Sequence, residues 1–186
     1  DLAAQGLAWR PTLSNDVQAV LATDKVRFQH QEVAFVVAED RYAARDALEL
    51  IEVDYEVLPP ITDPEAAMQP DAPQVHADRK NLLSSTKYSR GDVDAALAAS
   101  PHRVKETFRT QTIEHLYMEP ESCLVVPKAD GVLQVFTQGQ GVYDDKRQLC
   151  RALDLPDSKL IVTLVNNGGA FGGKEDLSVQ VQTALL

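Results

Sequence analysis

Lys159 to Leu186 read KLIVTLVNNGGAFGGKEDLSVQVQTALL. KLIVTLV is a run of strand length, apolar but for Lys159 and Thr163, the pattern of a strand covered on both faces. Leu177, Val181, Ala184 and Leu185 recur at helical spacing and predict one apolar stripe. Between them lies Asn166 to Glu175, with four of the chain's nine glycines in six positions. Glycine permits positive φ and lets a backbone come close to a ligand. A helix starting at Lys174-Glu175 would present unpaired N–H groups and a positive dipole end. Strand, glycine-rich loop and helix together predict a loop that wraps a large polar, anionic group. No Gly, Pro or last-turn cation stops the helix, and the chain begins with Asp1 rather than Met. A piece of a longer chain and a native terminal helix docked on its core both stay open.

Upstream, DDKRQLCRALDL reads as a helix followed by Pro156, its acidic start at Asp144-Asp145 favoured by the dipole. ESCLVVPKADGVLQVFTQ reads as a hairpin, because Asp130-Gly131 tolerates positive φ. Arg103 to about Gln111 alternates and predicts a strand, and GDVDAALAAS a short helix capped by Asp92. Pro59 to Pro73 is a proline-punctuated connector, with Pro64 opening a short helical piece to Met68. In the first third, VRFQHQEVAFVVA (26–38) predicts a strand with a turn at Gln29–Gln31. Asp40 then caps a helix in RYAARDALELI, with Ala44, Ala47, Leu48 and Ile51 on one face. IEVDYEVLPP predicts a second strand stopped by Pro59-Pro60, making a small strand–helix–strand unit. Residues 1–24 give little pattern.

The chain has 186 residues, 44% hydrophobic and 25% charged, the composition of a globular protein of one or two domains. Its 18 Lys+Arg against 28 Asp+Glu give a net charge of −10, which disfavours nucleic acid and anionic membrane surfaces as partners. No run is long enough to span a bilayer, and no basic-then-apolar start suggests a signal peptide. Cys123 and Cys150 lack C-x-x-C spacing, so no iron–sulfur cluster is expected in this chain. They read as inert buried thiols in a cytoplasmic protein, a disulfide being left open.

Gly168-x-x-x-x-Gly173-Lys174 has the spacing of a phosphate-binding loop, but Glu175 stands where Ser or Thr would bind magnesium. His115 and Glu119 are four apart, which suits one helical face. With no second histidine near, they read as structural, with zinc a distant second. Tyr143 and Phe136 are expected to pack.

The loop GGAFGGKE resembles the signature of the molybdenum hydroxylases, the xanthine dehydrogenase and aldehyde oxidase family. QTIEHLYMEP (Gln111–Pro120) and Thr137-Gln138 at a strand end are similar to family segments around the cofactor. The stretch 26–67 resembles the family's α/β hammerhead domain. The resemblance implies an α+β fold: the C-terminal part of a hammerhead domain over 1–80, then the first portion of a molybdopterin-binding domain over 81–186. By resemblance, Gln138 hydrogen-bonds the molybdenum centre, and the Phe171 backbone amide approaches the metal and the pterin dithiolene. Gly169, Ala170 and Gly172 let the chain pass close to the cofactor, and Glu175 orients the substrate. The implied cofactor is molybdenum–molybdopterin, a dinucleotide form included, with Fe-S clusters and FAD in partner domains or subunits. The implied reaction hydroxylates a purine or aldehyde with oxygen from water, in a higher-order oligomer. Ala170 stands where many members have glycine. The stretch after Gln138 is longer than in the animal enzymes by an insertion, QGVYDD, which suggests a bacterial subgroup. The family's general-base glutamate, pocket arginine and most pterin-binding loops are expected beyond Leu186. The alternative is a non-catalytic module whose loop binds a phosphate ligand or a partner chain.

Overall fold

A computed structural model describes residues 8–9 and 18–186; Asp1 lies outside them. In chain order its elements are β1 (Ala8–Trp9), β2 (Gln18–Ala19), α1 (Arg41–Leu48), α2 (Pro64–Ala67), α3 (Val93–Ala99), β3 (Cys123–Pro127), β4 (Leu133–Thr137), α4 (Val142–Ala152), β5 (Leu160–Leu164) and α5 (Gln180–Leu185). Helix and sheet are mixed, as the α+β expectation requires.

The hairpin forms where the Asp-Gly pair puts it. β3 and β4 are antiparallel, with Cys123 opposite Thr137 and Pro127 opposite Leu133. The turn places Asp130 at φ +61 and Gly131 at φ +68. β4 then passes through α4 to β5, which pairs parallel to it. Parallel neighbours need such a crossover, because a tight turn cannot reverse the chain twice. β4 is therefore the central strand of three.

Alternation along these strands sorts the two faces. Leu133, Val135, Val125, Cys123, Leu160 and Val162 face α4 and α5, forming a core with Leu149, Ala152, Leu177 and Val181. Val20, Leu21 and Phe35 from the first part of the chain join this core. Leu124 and Ile161 on the opposite face are exposed. The doubly covered strand predicted at Lys159–Val165 is thus an edge strand covered on one face. Leu177 and Val181 are buried as the stripe predicts, with Ala184 and Leu185 packed against the core. Tyr143, expected to pack, is 86% exposed, because it leaves α4 on the solvent side.

The predicted helix caps are present. Asp40 accepts from Tyr42 N (2.7 Å) and Ala43 N (3.0 Å), and those two bonds hold its carboxyl below the usual range. Asp92 caps α3 through Ala95 N as expected, and Asp63, not singled out in the sequence, caps α2 through Ala66 N. The strand–helix–strand unit does not form as expected. A turn sits at Phe28–His30, but 31–38, 51–60 and 102–117 carry no ladder, and α1 has no buried residue. Alternation shows that a segment suits a pleated sheet, but a ladder also needs a neighbouring strand. Among the described residues these segments have none.

Leu149 is fully buried, so Leu149→Ala should cost about 2–5 kcal/mol in urea unfolding. Tyr143→Ala should stay within about 0.5 kcal/mol. Equal losses at the two positions would contradict this core.

Candidate functional site

β4 and β5 run parallel, so both end on the same side, the side where open α/β sheets carry ligands. Val165 N donates to Thr137 O at 2.9 Å across the two strand ends. Two loops leave from here, Gln138–Gly141 and the glycine-rich loop, and a web of hydrogen bonds ties them together.

Asn167 makes the first tie. Its Nδ2 donates to Gln138 O, and its Oδ1 accepts from Gly169 N at 2.8 Å. Gln138, half-buried, accepts on Oε1 from Ser122 N at 3.2 Å. Its NH2 group has no acceptor among the described residues. Thr137 Oγ1, buried, accepts from Gly139 N (3.3 Å) and Gln180 Nε2 (3.0 Å). Gln180 Oε1 in turn accepts from Ser178 N and Val179 N, taking up amides ahead of α5.

Lys174 makes the second tie. Only 2% exposed, its ammonium donates to Glu119 O at 3.0 Å. It also lies 3.5 Å from the Glu119 carboxylate and 4.6 Å from the Tyr117 ring centre. The same carboxylate accepts from Gly168 N. A buried cation is tolerable only with such partners. A phosphate-loop lysine must reach outward to its nucleotide, and this one is turned inward and fully engaged.

Gln140 makes the third tie. Its Oε1 accepts from Gly172 N (3.0 Å) and Lys174 N (3.2 Å), while its own N–H donates to Lys174 O (2.8 Å). Gly173 N donates to Ala170 O at 2.8 Å, closing the turn. Among the amides from Gly168 to Lys174, only those of Ala170 and Phe171 have no acceptor among the described residues. Phe171 is held at φ +51 and is 75% exposed, between Gly169 at φ +108 and Gly172 at φ +90. At Gly173 crowding decides instead: a Cβ would meet the Tyr117 ring at 2.7 Å and Ala170 O at 3.1 Å.

The structure thus brings Gln138, Gly169, Ala170, Phe171 and Gly172 together. Glu175 is on the same loop and exposed, but it is not at a helix start. The chain turns through 171–174, bends on, and enters α5 only at Gln180. The helix predicted at Lys174-Glu175 starts later because the backbone there bonds to Gln140. His115 and Glu119 do not share a helical face either. Leu116 between them has φ +53; Glu119 bonds the start of the loop, while the His115 ring, 3.6 Å from Glu114, lies against Gly173. Burial pushes the thiols of Cys123 and Cys150 up, in keeping with inert cysteines.

Sequence reading missed Gln140 as a loop partner, and it missed Asp145. Asp145 is 1% exposed, and neither carboxyl oxygen has a partner among the described residues. Burial, with help from Asp144 and Asp176, pushes it up to about 7. A Cβ on Gly139 would collide with this carboxyl, so the turn after Gln138 packs directly on it. The Gly-Gln-Gly run 139–141 was the available signal, since alternating glycines mark a backbone pressed against its neighbours.

Comparison with known proteins places this geometry. Residues 75–186 match the family model described as the molybdopterin cofactor-binding domain. Residues 1–59 match the aldehyde oxidase and xanthine dehydrogenase a/b hammerhead domain. The chain belongs to the molybdenum hydroxylase family. It is 38% identical to a probable xanthine dehydrogenase component of Bacillus subtilis, over 91% of this chain and 23% of that protein. It is 39% identical to the carbon monoxide dehydrogenase large chain of Afipia carboxidovorans, over 94% of this chain and 23% of that one. The solved structure of reconstituted CO dehydrogenase from Oligotropha carboxidovorans superposes with a TM-score of 0.81 at 36% identity, covering 100% of this chain and 25% of that chain. The chain therefore spans about a quarter of the length of the relatives it matches. Among the described residues no helix is long and apolar enough to cross a membrane.

The loop of this molybdenum hydroxylase chain fits the family's cofactor. The backbone N–H groups of Ala170 and Phe171 and the amide end of Gln138, which have no acceptor among the described residues, are donors suited to a group rich in oxygen and sulfur acceptors. Among the described residues nothing lies nearer to a Cβ built on Gly172 than the His115 ring at 3.9 Å.

The buried acid sets a pH dependence. Asp145 moves from 3.8 when unfolded to about 7 when folded, so the folded state holds its proton more tightly. Its contribution to stability is complete below about 3.8 and is lost as pH rises through about 7. Urea midpoints at pH 5 and pH 8 should therefore converge in Asp145→Asn relative to wild type. An unchanged difference would contradict a buried, protonated Asp145.

Proposed function

We propose that this chain lines one side of the molybdenum–pterin site in the large subunit of a hydroxylase acting on a purine or an aldehyde. The observation that carries the reading is a pair of donors with no acceptor among the described residues, Phe171 N–H and the Gln138 amide, held at the ends of two parallel strands. When bound, the cofactor supplies a two-electron oxidation that takes its oxygen from water.

The chain's own residues then orient and stabilise. Gln138, near the molybdenum centre, donates from its NH2 group to an acceptor on the cofactor. The Phe171 amide donates from the loop, while Gly169, Ala170 and Gly172 keep the backbone slim enough for close approach. Glu175, exposed at the loop's end, accepts from a ring N–H of the heterocycle and steadies charge as it develops. The division between hammerhead and molybdopterin-binding parts, read from the sequence at 80/81, belongs to the same proposal; the two matched stretches, 1–59 and 75–186, leave 60–74 between them. Electrons would leave through Fe-S clusters and FAD carried by partner domains or subunits, in a cytoplasmic oligomer. The cofactor's dinucleotide form belongs to the same proposal. The reading as a non-catalytic phosphate-binding module is not favoured, since Lys174 points inward.

Full-length protein purified from a molybdenum-competent host should contain molybdenum, together with a pterin that fluoresces after oxidation. Absence of both would overturn the reading. In that protein Glu175→Gln should lower kcat/KM for xanthine by about tenfold or more while molybdenum content is unchanged. Unaltered turnover would mean that Glu175 does not touch the substrate.

A further inference from the structure

Gln140 offers one side-chain oxygen to two backbone N–H groups that flank Gly173. Only the amide oxygen can accept both bonds, so the side chain's orientation follows from its partners. The return bond, Gln140 N–H to Lys174 O at 2.8 Å, occupies Lys174's other main-chain group. Lys174 is thereby held three ways, with its N–H and C=O on Gln140 and its ammonium on Glu119.

We propose that Gln140 is a positioning residue, fixing the backbone immediately after Phe171 and immediately before Glu175 so that the two face one site at a set spacing. The inference rests on the function proposed above and adds a residue to it. The Gly172-Gly173 pair has wide conformational freedom, and ordering it costs entropy that a bound ligand would otherwise have to meet. Gln140 settles that order beforehand, which is how preorganised donors gain their advantage. It does so from an exposed position outside the core, so removing it should loosen the loop and leave the sheet intact.

Full-length protein, with Gln140→Leu and Gln140→Glu variants, tests this through amide hydrogen exchange and kinetics. Leucine keeps the bulk and loses the acceptor, whereas glutamate keeps an acceptor oxygen. Gln140→Leu should speed exchange at Gly172 and Lys174 by about tenfold, the order expected for a lost hydrogen bond, with β4 amides unchanged. With xanthine as substrate and a phenazine dye as electron acceptor, it should also raise KM and lower kcat/KM about tenfold. Gln140→Glu should restore slow exchange and most of the activity. Unchanged exchange in Gln140→Leu overturns the clasp itself, whatever the cofactor. Faster exchange with unchanged kinetics overturns the positioning role. Faster exchange throughout β4 would show general destabilisation and also overturn it. If wild-type protein lacks molybdenum and pterin, the function reading fails while the exchange result still reports on the clasp.

Discussion

An ammonium taken out of water must be given partners, and Lys174 constrains the site through that requirement. Its charge is met by the Glu119 carbonyl, the Glu119 carboxylate and the Tyr117 ring. Removing one of these would leave a buried charge uncompensated, a large penalty compared with an ordinary surface contact. Because Glu119 also takes the Gly168 amide, the start and end of the glycine loop are tied to one residue. Everything between them, including the positive φ at Gly169, Phe171 and Gly172, is held inside that span.

The loop depends in turn on the sheet beneath it. β4 and β5 end together, and Thr137 joins their ends to Gln180 at the start of α5. The apolar alternation that buries Val135 and Leu160 thereby aims Gln138 and the glycine loop at one place. Packing sets the strand ends, polar bonds set the loops, and the donors left over make the site.

Local chemistry was legible wherever it was sufficient. Asp-Gly at 130–131, the capping aspartates at 40 and 92, and the apolar stripe of Leu177 and Val181 act over a few residues. The glycine pairs mark the loop for the same reason. What could not be read depends on residues far apart in sequence. Nothing near Lys174 announces that Glu119, 55 residues away, will accept from it. The late start of α5 follows from Gln140 holding the backbone of Lys174, since residues 175–179 carry helical spacing yet stay irregular. The strands expected at 26–38, 51–60 and 103–111 have suitable composition, but no strand lies beside them among the described residues. Charged residues are rarely buried, so Asp145 reads in sequence as a helix-start charge rather than as a packed acid beneath Gly139.

The central claim is that the loop's spare amide is aimed at a bound prosthetic group. A crystal structure of the full-length, molybdenum-loaded protein measures this directly through the distance from Phe171 N to the nearest atom of that group. The account predicts hydrogen-bond range, about 3.5 Å or less. A Phe171 amide turned into solvent, with the prosthetic group held elsewhere in the protein, would contradict it.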